Sequence, residues 1–238
     1  MQIANSVALV TGANRGLGRH FVTQLLERGA TKVYATARNP ESVDLPGAEV
    51  LGLDVTDPAS VAAAAAAATD VTLLVNNAGI NTMNDLVNGD PDQIELEMNT
   101  AFYGPLRMIR AFAPILKAGG GGAIVNVLSA ASWFPSEQWG AYHAAKAAAW
   151  SLTNSVRLEL SRQSTLVTGV YLGPTDTDLA RGLSFPFELN DPADVIRATL
   201  DGVEARQSEV LADALSVQFK ANLVLDPATI YTPSTATP

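Results

Sequence analysis

Cysteine is absent from the 238 residues and histidine occurs only twice, so disulfides, thiolate catalysis and zinc sites built on Cys or His have no material here. No metal is expected. Basic side chains are the minority, 15 Lys and Arg against 24 Asp and Glu, for a formal charge of −9. That balance argues against a broad nucleic-acid or anionic-membrane surface, and any anionic ligand must be held locally. No stretch approaches the roughly 18 uninterrupted apolar residues of a membrane span. Met1 to Val10 lacks the basic start and long apolar run of a signal peptide. A soluble cytoplasmic protein is the expectation. What is present, 47% hydrophobic and 16% charged residues, is an ordinary globular balance able to bury a sizeable core.

Six short runs, Ser6–Thr11, Lys32–Thr36, Val50–Leu53, Val71–Asn76, Ala123–Leu128 and Leu166–Tyr171, read as strands. Most lack polar alternation, the pattern of strands covered on both faces of a parallel sheet. Between the first two, Leu17, Phe21 and Leu25 recur at helical spacing with Val22 and Leu26, and Gly29 stops the run, giving a βαβ unit. The pairs Asp57-Pro58, Asp90-Pro91 and Asp191-Pro192 mark helix starts, Asp capping free amides and Pro suiting the first helical position. The alanine run 62–68 reads as a crossover helix. The prediction is an α/β chain, a single-domain doubly wound parallel sheet of Rossmann type with helices on both faces. Residues 1–225 are expected to form that single domain and 226–238 a C-terminal tail outside the core. Residues 178–190 carry Leu179, Leu183, Phe185 and Phe187 around Gly182 and Pro186, which suits either a substrate lid or a packed connection.

The first strand runs directly into Thr11-Gly12-Ala13-Asn14-Arg15-Gly16-Leu17-Gly18 and then a helix. Gly12 permits a tight turn, Gly16 lets the backbone approach a pyrophosphate, and Gly18 removes a side chain where helix meets sheet. The helix N-terminus offers its unpaired amides to the phosphates. About 20 residues beyond such a loop a carboxylate usually receives a ribose 2′-hydroxyl; here Arg38 stands instead. A guanidinium there, with Arg15 in the loop, suits a 2′-phosphate and therefore NADP(H), unless both are ordinary surface arginines.

Tyr142 and Lys146 are four apart on a predicted helix whose stripe is Ala145, Ala149, Leu152, Val156 and Leu160, so the two share a face. Ser129 closes the strand Ala123–Leu128, at the carboxyl edge where α/β proteins bind ligands. A Lys ammonium about 4 Å from a phenol, at an effective dielectric near 20, favours the phenolate by up to roughly 4 kcal/mol before desolvation opposes it. A phenol whose ordinary pKa is near 10 then comes within reach of neutral-pH proton transfer.

Taken together, the Thr-Gly-x-x-x-Gly-x-Gly loop, Asn76-Asn77-Ala78-Gly79 after a strand, Asn99, Ser129, Tyr142 and Lys146 resemble the short-chain dehydrogenase/reductase family, over roughly Val7 to Thr177. The resemblance implies an NADPH-dependent carbonyl reductase, reversible as an alcohol dehydrogenase, moving hydride to and from a small-molecule ketone or aldehyde. It implies Tyr142 as general acid/base, Ser129 orienting the carbonyl, Lys146 on the nicotinamide ribose, and Asn99 holding a relay water. For the cofactor it implies Gly12, Asn14, Arg15, Gly16, Leu17, Gly18, Arg38, Asp54 with Val55, Asn77, Ala78, Gly79, and Gly173, Thr175 and Thr177 of Leu172-Gly173-Pro174-Thr175-Asp176-Thr177, where Leu172 replaces the family's first Pro. Asp54 suits adenine contact or loop capping. Trp133, Phe134 and Trp139 lie between Ser129 and Tyr142 and either build an apolar substrate pocket, with Trp133 and Trp139 against substrate, or pack the loop onto the core. Homo-oligomers through the helices around 105–116 and 141–160 are expected, a monomer being the alternative; Gly104-Pro105 and Pro114 are expected to kink or interrupt the former helix. A dinucleotide-binding regulator without turnover is the rival from another class.

Overall fold

Apolar runs too short for helices pair side by side and in parallel throughout. The computed structural model describes residues 1–231, and its sheet has seven strands in the order β3-β2-β1-β4-β5-β6-β7. These are β1 (Val7–Val10), β2 (Lys32–Ala37), β3 (Glu49–Gly52), β4 (Leu73–Asn76), β5 (Gly122–Val127), β6 (Thr165–Tyr171) and β7 (Glu209–Leu211). The first six coincide with the sequence reading. The seventh has no signal in the sequence, because a three-residue Glu-Val-Leu segment shows no periodicity. Its partner is β6, with Val170 opposite Val210.

Helices cover both faces. On one, α1 (Gly16–Glu27) packs beside α6 (Pro192–Glu204), joining Phe21, Val22 and Leu25 to Val195, Ile196 and Leu200 over Val10, Val33 and Val75. On the other lie α2 (Pro58–Ala67), α4 (Gly104–Ala118) and α5 (Gly140–Glu159), burying Val61, Met108, Phe112, Leu116, Leu152 and Val156 against Leu9, Leu74 and Ile124. Each fully buried side chain of this size contributes about 1.5–3 kcal/mol relative to exposure. The alanine run forms α2, with Val61 and Ala64 inward, as its propensity predicts. Asp57, Asp90 and Asp191 each accept amides at a helix start, of α2, α3 (Pro91–Met98) and α6.

Two expectations need correction. α4 is not interrupted at Pro114, which lies inside it. The interruption falls at Gly104-Pro105, as expected, where a π turn over Asn99–Tyr103 joins α3 to α4. The tail does not begin free at 226: α7 (Ala214–Asn222) is followed by a further Asp-Pro start, in which Asp226 caps α8 (Pro227–Ile230). Ile230 joins the cluster of Leu128, Trp133, Phe134 and Tyr171, and Tyr231 donates to the Trp133 carbonyl at 3.2 Å. The rest of the expected tail, 232–238, lies outside the described residues.

The strand order reverses direction between β1 and β4. Loops leaving their carboxyl ends therefore diverge and open a crevice, the switch point at which such sheets bind ligands.

Candidate active site

The crevice is a cleft of about 880 Å³ bounded by the loops after β1, β2, β4, β5 and β6. At its first wall the backbone turns at Gly12 with φ +66° and at Gly16 with φ +51°, a region that side chains disfavour. Gly18 is needed for contact: a Cβ there would stand 2.1 Å from the Gly12 carbonyl oxygen. Arg15 caps α1 in an extended conformation without a side-chain bond, and the first turn carries no acid, so the leading amides of α1 are left to a ligand. Gly12, Asn14, Arg15, Gly16 and Leu17 all line the cleft, and so do Arg38, Asp54 and Val55. Asp54 is turned into its own loop, where Oδ1 accepts from the Thr56 amide at 2.8 Å and the Thr56 hydroxyl at 2.7 Å.

The Asn76–Gly79 segment braces this wall. Thr11 Oγ1 accepts the amides of Asn77 and Ala78 at 2.9 and 3.0 Å, while Asn77 Nδ2 donates to the carbonyls of Thr11 and Gly12 at 2.9 and 3.1 Å. Behind it Asn76 Nδ2 donates to Asn126, whose amide donates to Thr153 on α5, tying β4, β5 and α5 together by side chains.

The cleft floor holds Ser129, Tyr142 and Lys146. Ser129 leaves β5, donates to the Leu172 carbonyl at 3.3 Å and accepts the Ala131 amide at 3.1 Å. Lys146 donates to the Val127 carbonyl at 3.0 Å, with Nζ 5.6 Å from the centre of the Tyr142 ring. Burial dominates both groups. It pushes the Tyr142 phenol up to about 12, with Ser129 pulling the other way and the charge of Glu97 adding to the rise. It draws the Lys146 ammonium down to about 8, with Glu97 opposing. The lowering of the phenol expected from Lys146 is not seen: burial sets the shift, and Ser129 is what opposes it. Asn99 is not among the cleft-lining residues, although Leu96 and Thr100 are. It belongs to the π turn, and its Oδ1 accepts from Arg107 at 2.8 Å.

Trp139 and Phe134 line the far end of the cleft together with Leu179, Leu183, Phe185 and Phe187. Trp139 meets Tyr142 and Phe185 edge-on, with centroids 6.2 and 6.0 Å away. Trp133 is a correction: it turns into the core and stacks on Tyr171 at 4.2 Å, since the turn Ala130–Ser132 points successive side chains in different directions. The 178–190 segment springs from a closed neck, in which the Asp176 amide donates to the Asn190 carbonyl and the Asn190 amide to Pro174, each at 3.0 Å. Asp178 lies 3.8 Å from Arg15 across the cleft. Gly173, Thr175 and Thr177 line the cleft, and Thr177 lies against Gly16.

Four contributors escaped the sequence reading. Asp213, after the unread β7, accepts the Gly173 amide at 2.6 Å and the Asn190 side-chain amide at 2.8 Å, fixing the loop where Leu172 stands for proline. Leu215 and Phe219 of α7 complete the apolar wall. His143 accepts the Ser136 amide at Nε2 (2.9 Å), so Nδ1 carries the proton donated to the Ala131 carbonyl (3.0 Å), and the imidazole clamps the loop bearing Trp139. Only His143 carried a usable signal, its place beside Tyr142.

A glycine-turned phosphate cradle at a switch point, with a phenol and an ammonium on the floor, defines a dinucleotide-dependent oxidoreductase of the doubly wound class. Residues 6–185 match the short chain dehydrogenase family. A short-chain dehydrogenase of Burkholderia cenocepacia, solved in complex with NADP, is 38% identical, with a TM-score of 0.92 over 98% of this chain and 100% of that one. A 3alpha-hydroxysteroid dehydrogenase of Mediterraneibacter gnavus is 30% identical, covering 93% of this chain and 98% of its own. A 3-oxoacyl-acyl-carrier-protein reductase of Vibrio cholerae is 34% identical over 77% of this chain and 79% of its own. The chain belongs to the short-chain dehydrogenase/reductase family of oxidoreductases.

Proposed function

We propose that the protein is an NADP(H)-dependent carbonyl reductase, reversible as an alcohol dehydrogenase, acting on an apolar ketone or aldehyde. The observation that carries this reading is that one cleft joins an arginine-rimmed phosphate cradle, the Ser129–Tyr142–Lys146 floor and an apolar collar. When bound, the nicotinamide supplies or accepts the hydride.

The chain's own residues do the rest. Free amides of α1 and the Gly12–Leu17 turn receive the pyrophosphate, and Arg15 and Arg38 receive a 2′-phosphate, with Asp54 turned aside. Gly173, Thr175 and Thr177 meet the nicotinamide end. Ser129 donates a hydrogen bond to the substrate carbonyl and steadies the developing oxyanion. Tyr142 delivers the proton that quenches it; a raised phenol is protonated at neutral pH and is therefore ready as the acid for reduction. Lys146, an ammonium below about pH 8, steadies the phenolate left behind. Trp139, Phe134, Phe185 and Phe187 exclude water and select an apolar substrate, with 178–190 acting as the lid.

Relatives named by activity in Mediterraneibacter gnavus and Vibrio cholerae are oxidoreductases, which favours turnover over a regulatory role. The test is a panel of apolar and polar ketones and aldehydes assayed by oxidation of NADPH, with NADH in parallel. Apolar substrates with NADPH turn over fastest if the reading holds; tight NADPH binding with no turnover on any substrate would move the assignment to a sensor.

A further inference from the structure

Glu97 is a buried carboxylate that the proposed mechanism does not use. It is 1% exposed, in the last turn of α3, between Leu96 and Met98. Its Oε1 accepts two bonds of 2.6 Å, from the amide and the hydroxyl of Thr82. Its Oε2 is shut off from solvent and has no hydrogen-bond partner among the described residues. A carboxylate oxygen left so in an apolar interior calls for a compensating positive charge.

The helix on which α3 packs, α5, carries a buried cation, Lys146. Thr82 is bonded by Asn84 Nδ2, and the Asn84 carbonyl takes the amide of Ala141, the residue before Tyr142. Glu97 is therefore linked through one short loop to the start of α5, and α3 also packs directly on α5. Lys146, one turn beyond Tyr142, is buried and donates a single hydrogen bond, to Val127, leaving two N–H groups of its ammonium unassigned. Other charged and titratable groups on the packed elements are accounted for. Arg107 on α4 is bonded to Asn99 and Val55, and His143 is held neutral by Ser136 and Ala131. Tyr103 is half exposed, and Asp85, Asp92 and Glu95 face solvent.

We propose that Glu97 is the buried counter-charge of the Tyr142–Lys146 pair, holding Lys146 as an ammonium and keeping the proton on Tyr142, so that the site is biased toward carbonyl reduction at neutral pH. This deepens the reading of Tyr142 and Lys146 as catalytic and rests on it. Glu97 acts through those groups and is a positioning residue. Its electrostatic influence has the matching sign at both, raising the phenol and the ammonium alike.

Glu97→Gln isolates the charge, because the amide oxygen still accepts from Thr82. With wild type, Glu97→Gln and Glu97→Asp, kcat for alcohol oxidation and carbonyl reduction is measured from about pH 5 to 10 at saturating coenzyme. Loss of the charge lowers both apparent pKa values of the coupled pair, so Glu97→Gln moves the whole oxidation profile toward acid by about one pH unit, while Glu97→Asp stays near wild type. Equal rate losses in both variants with unmoved limbs mean a purely structural Glu97 and overturn the proposal. Infrared difference spectra of the intact wild type, with the Glu97 band assigned by isotope editing, give an independent reading: an ionised carboxylate at pH 7 supports the counter-charge, and the carbonyl band of a protonated acid refutes it. Tyr142→Phe, run alongside, separates the two levels. Retained turnover there removes the catalytic assignment itself, whereas its loss with an unshifted Glu97→Gln profile removes only the role of Glu97.

Discussion

Lys146 and Tyr142 lie one turn apart on α5, with the ammonium nitrogen 5.6 Å from the centre of the phenol ring and its hydrogen bond given to Val127. In the proposed mechanism Lys146 acts on the phenolate through space, once Tyr142 has given up its proton. Lys146→Met, which keeps the stem without the charge, is expected to lower kcat about 100-fold or more while the protein remains folded. Unchanged kcat would show the charge to be idle.

In the proposed mechanism the phenol raised by burial sets the pH dependence of the two directions. Reduction needs the protonated phenol, so its rate holds through neutral pH. Oxidation needs the phenolate, so its rate climbs up to tenfold per pH unit on the acid limb. Initial rates in both directions across pH 6 to 10 check this; an oxidation rate already flat at pH 7 would contradict it.

At the coenzyme end, Arg38 and Arg15 rim the cleft while Asp54 is satisfied by Thr56. Arg38→Ala is expected to raise KM for NADPH about 10- to 100-fold, the loss of one charge-assisted bond, and to leave KM for NADH nearly unchanged. Equal losses with both coenzymes would mean that Arg38 only supports the fold.

The two tryptophans separate stability from specificity. Trp133 stacks on Tyr171 in the core, so Trp133→Ala is expected to cost about 3–5 kcal/mol in chemical denaturation. Trp139 stands in the cleft, so Trp139→Ala is expected to raise KM for apolar substrates with a stability change of about 1 kcal/mol.

His143 is held neutral, and burial lowers it below its ordinary 6.5, against the pull of its bond to Ala131. The unfolded chain then binds a proton that the folded chain refuses. Stability present above about pH 6.5 is lost progressively as pH falls from there toward the lowered native value. Thermal melts from pH 7.5 to 5 should show a steeper fall for wild type than for His143→Gln.

Much of this was legible because it rests on local rules. Buried parallel strands show as unbroken apolar runs, Asp-Pro marks helix starts, and Gly12, Gly16 and Gly18 answer to backbone turns and one close approach. Tyr142 and Lys146 share a face by helical period alone. What escaped depends on which way a side chain turns or on contacts far apart in sequence. Trp133 and Trp139 sit in one loop, yet only the fold separates core from cleft. Asp213 reaches Gly173 across 40 positions. Glu97 reads in sequence as one more acid on an acidic helix, and its burial follows only from the packing of α3 on α5.

In the proposed mechanism the Tyr142 hydroxyl moves the proton that accompanies hydride transfer. Single-turnover reduction of a good ketone by NADPH, followed by nicotinamide absorbance in wild type and Tyr142→Phe, isolates that step. The expected result is a loss of about 1,000-fold or more in the hydride step with NADPH affinity changed less than threefold. A hydride step within tenfold of wild type would contradict it.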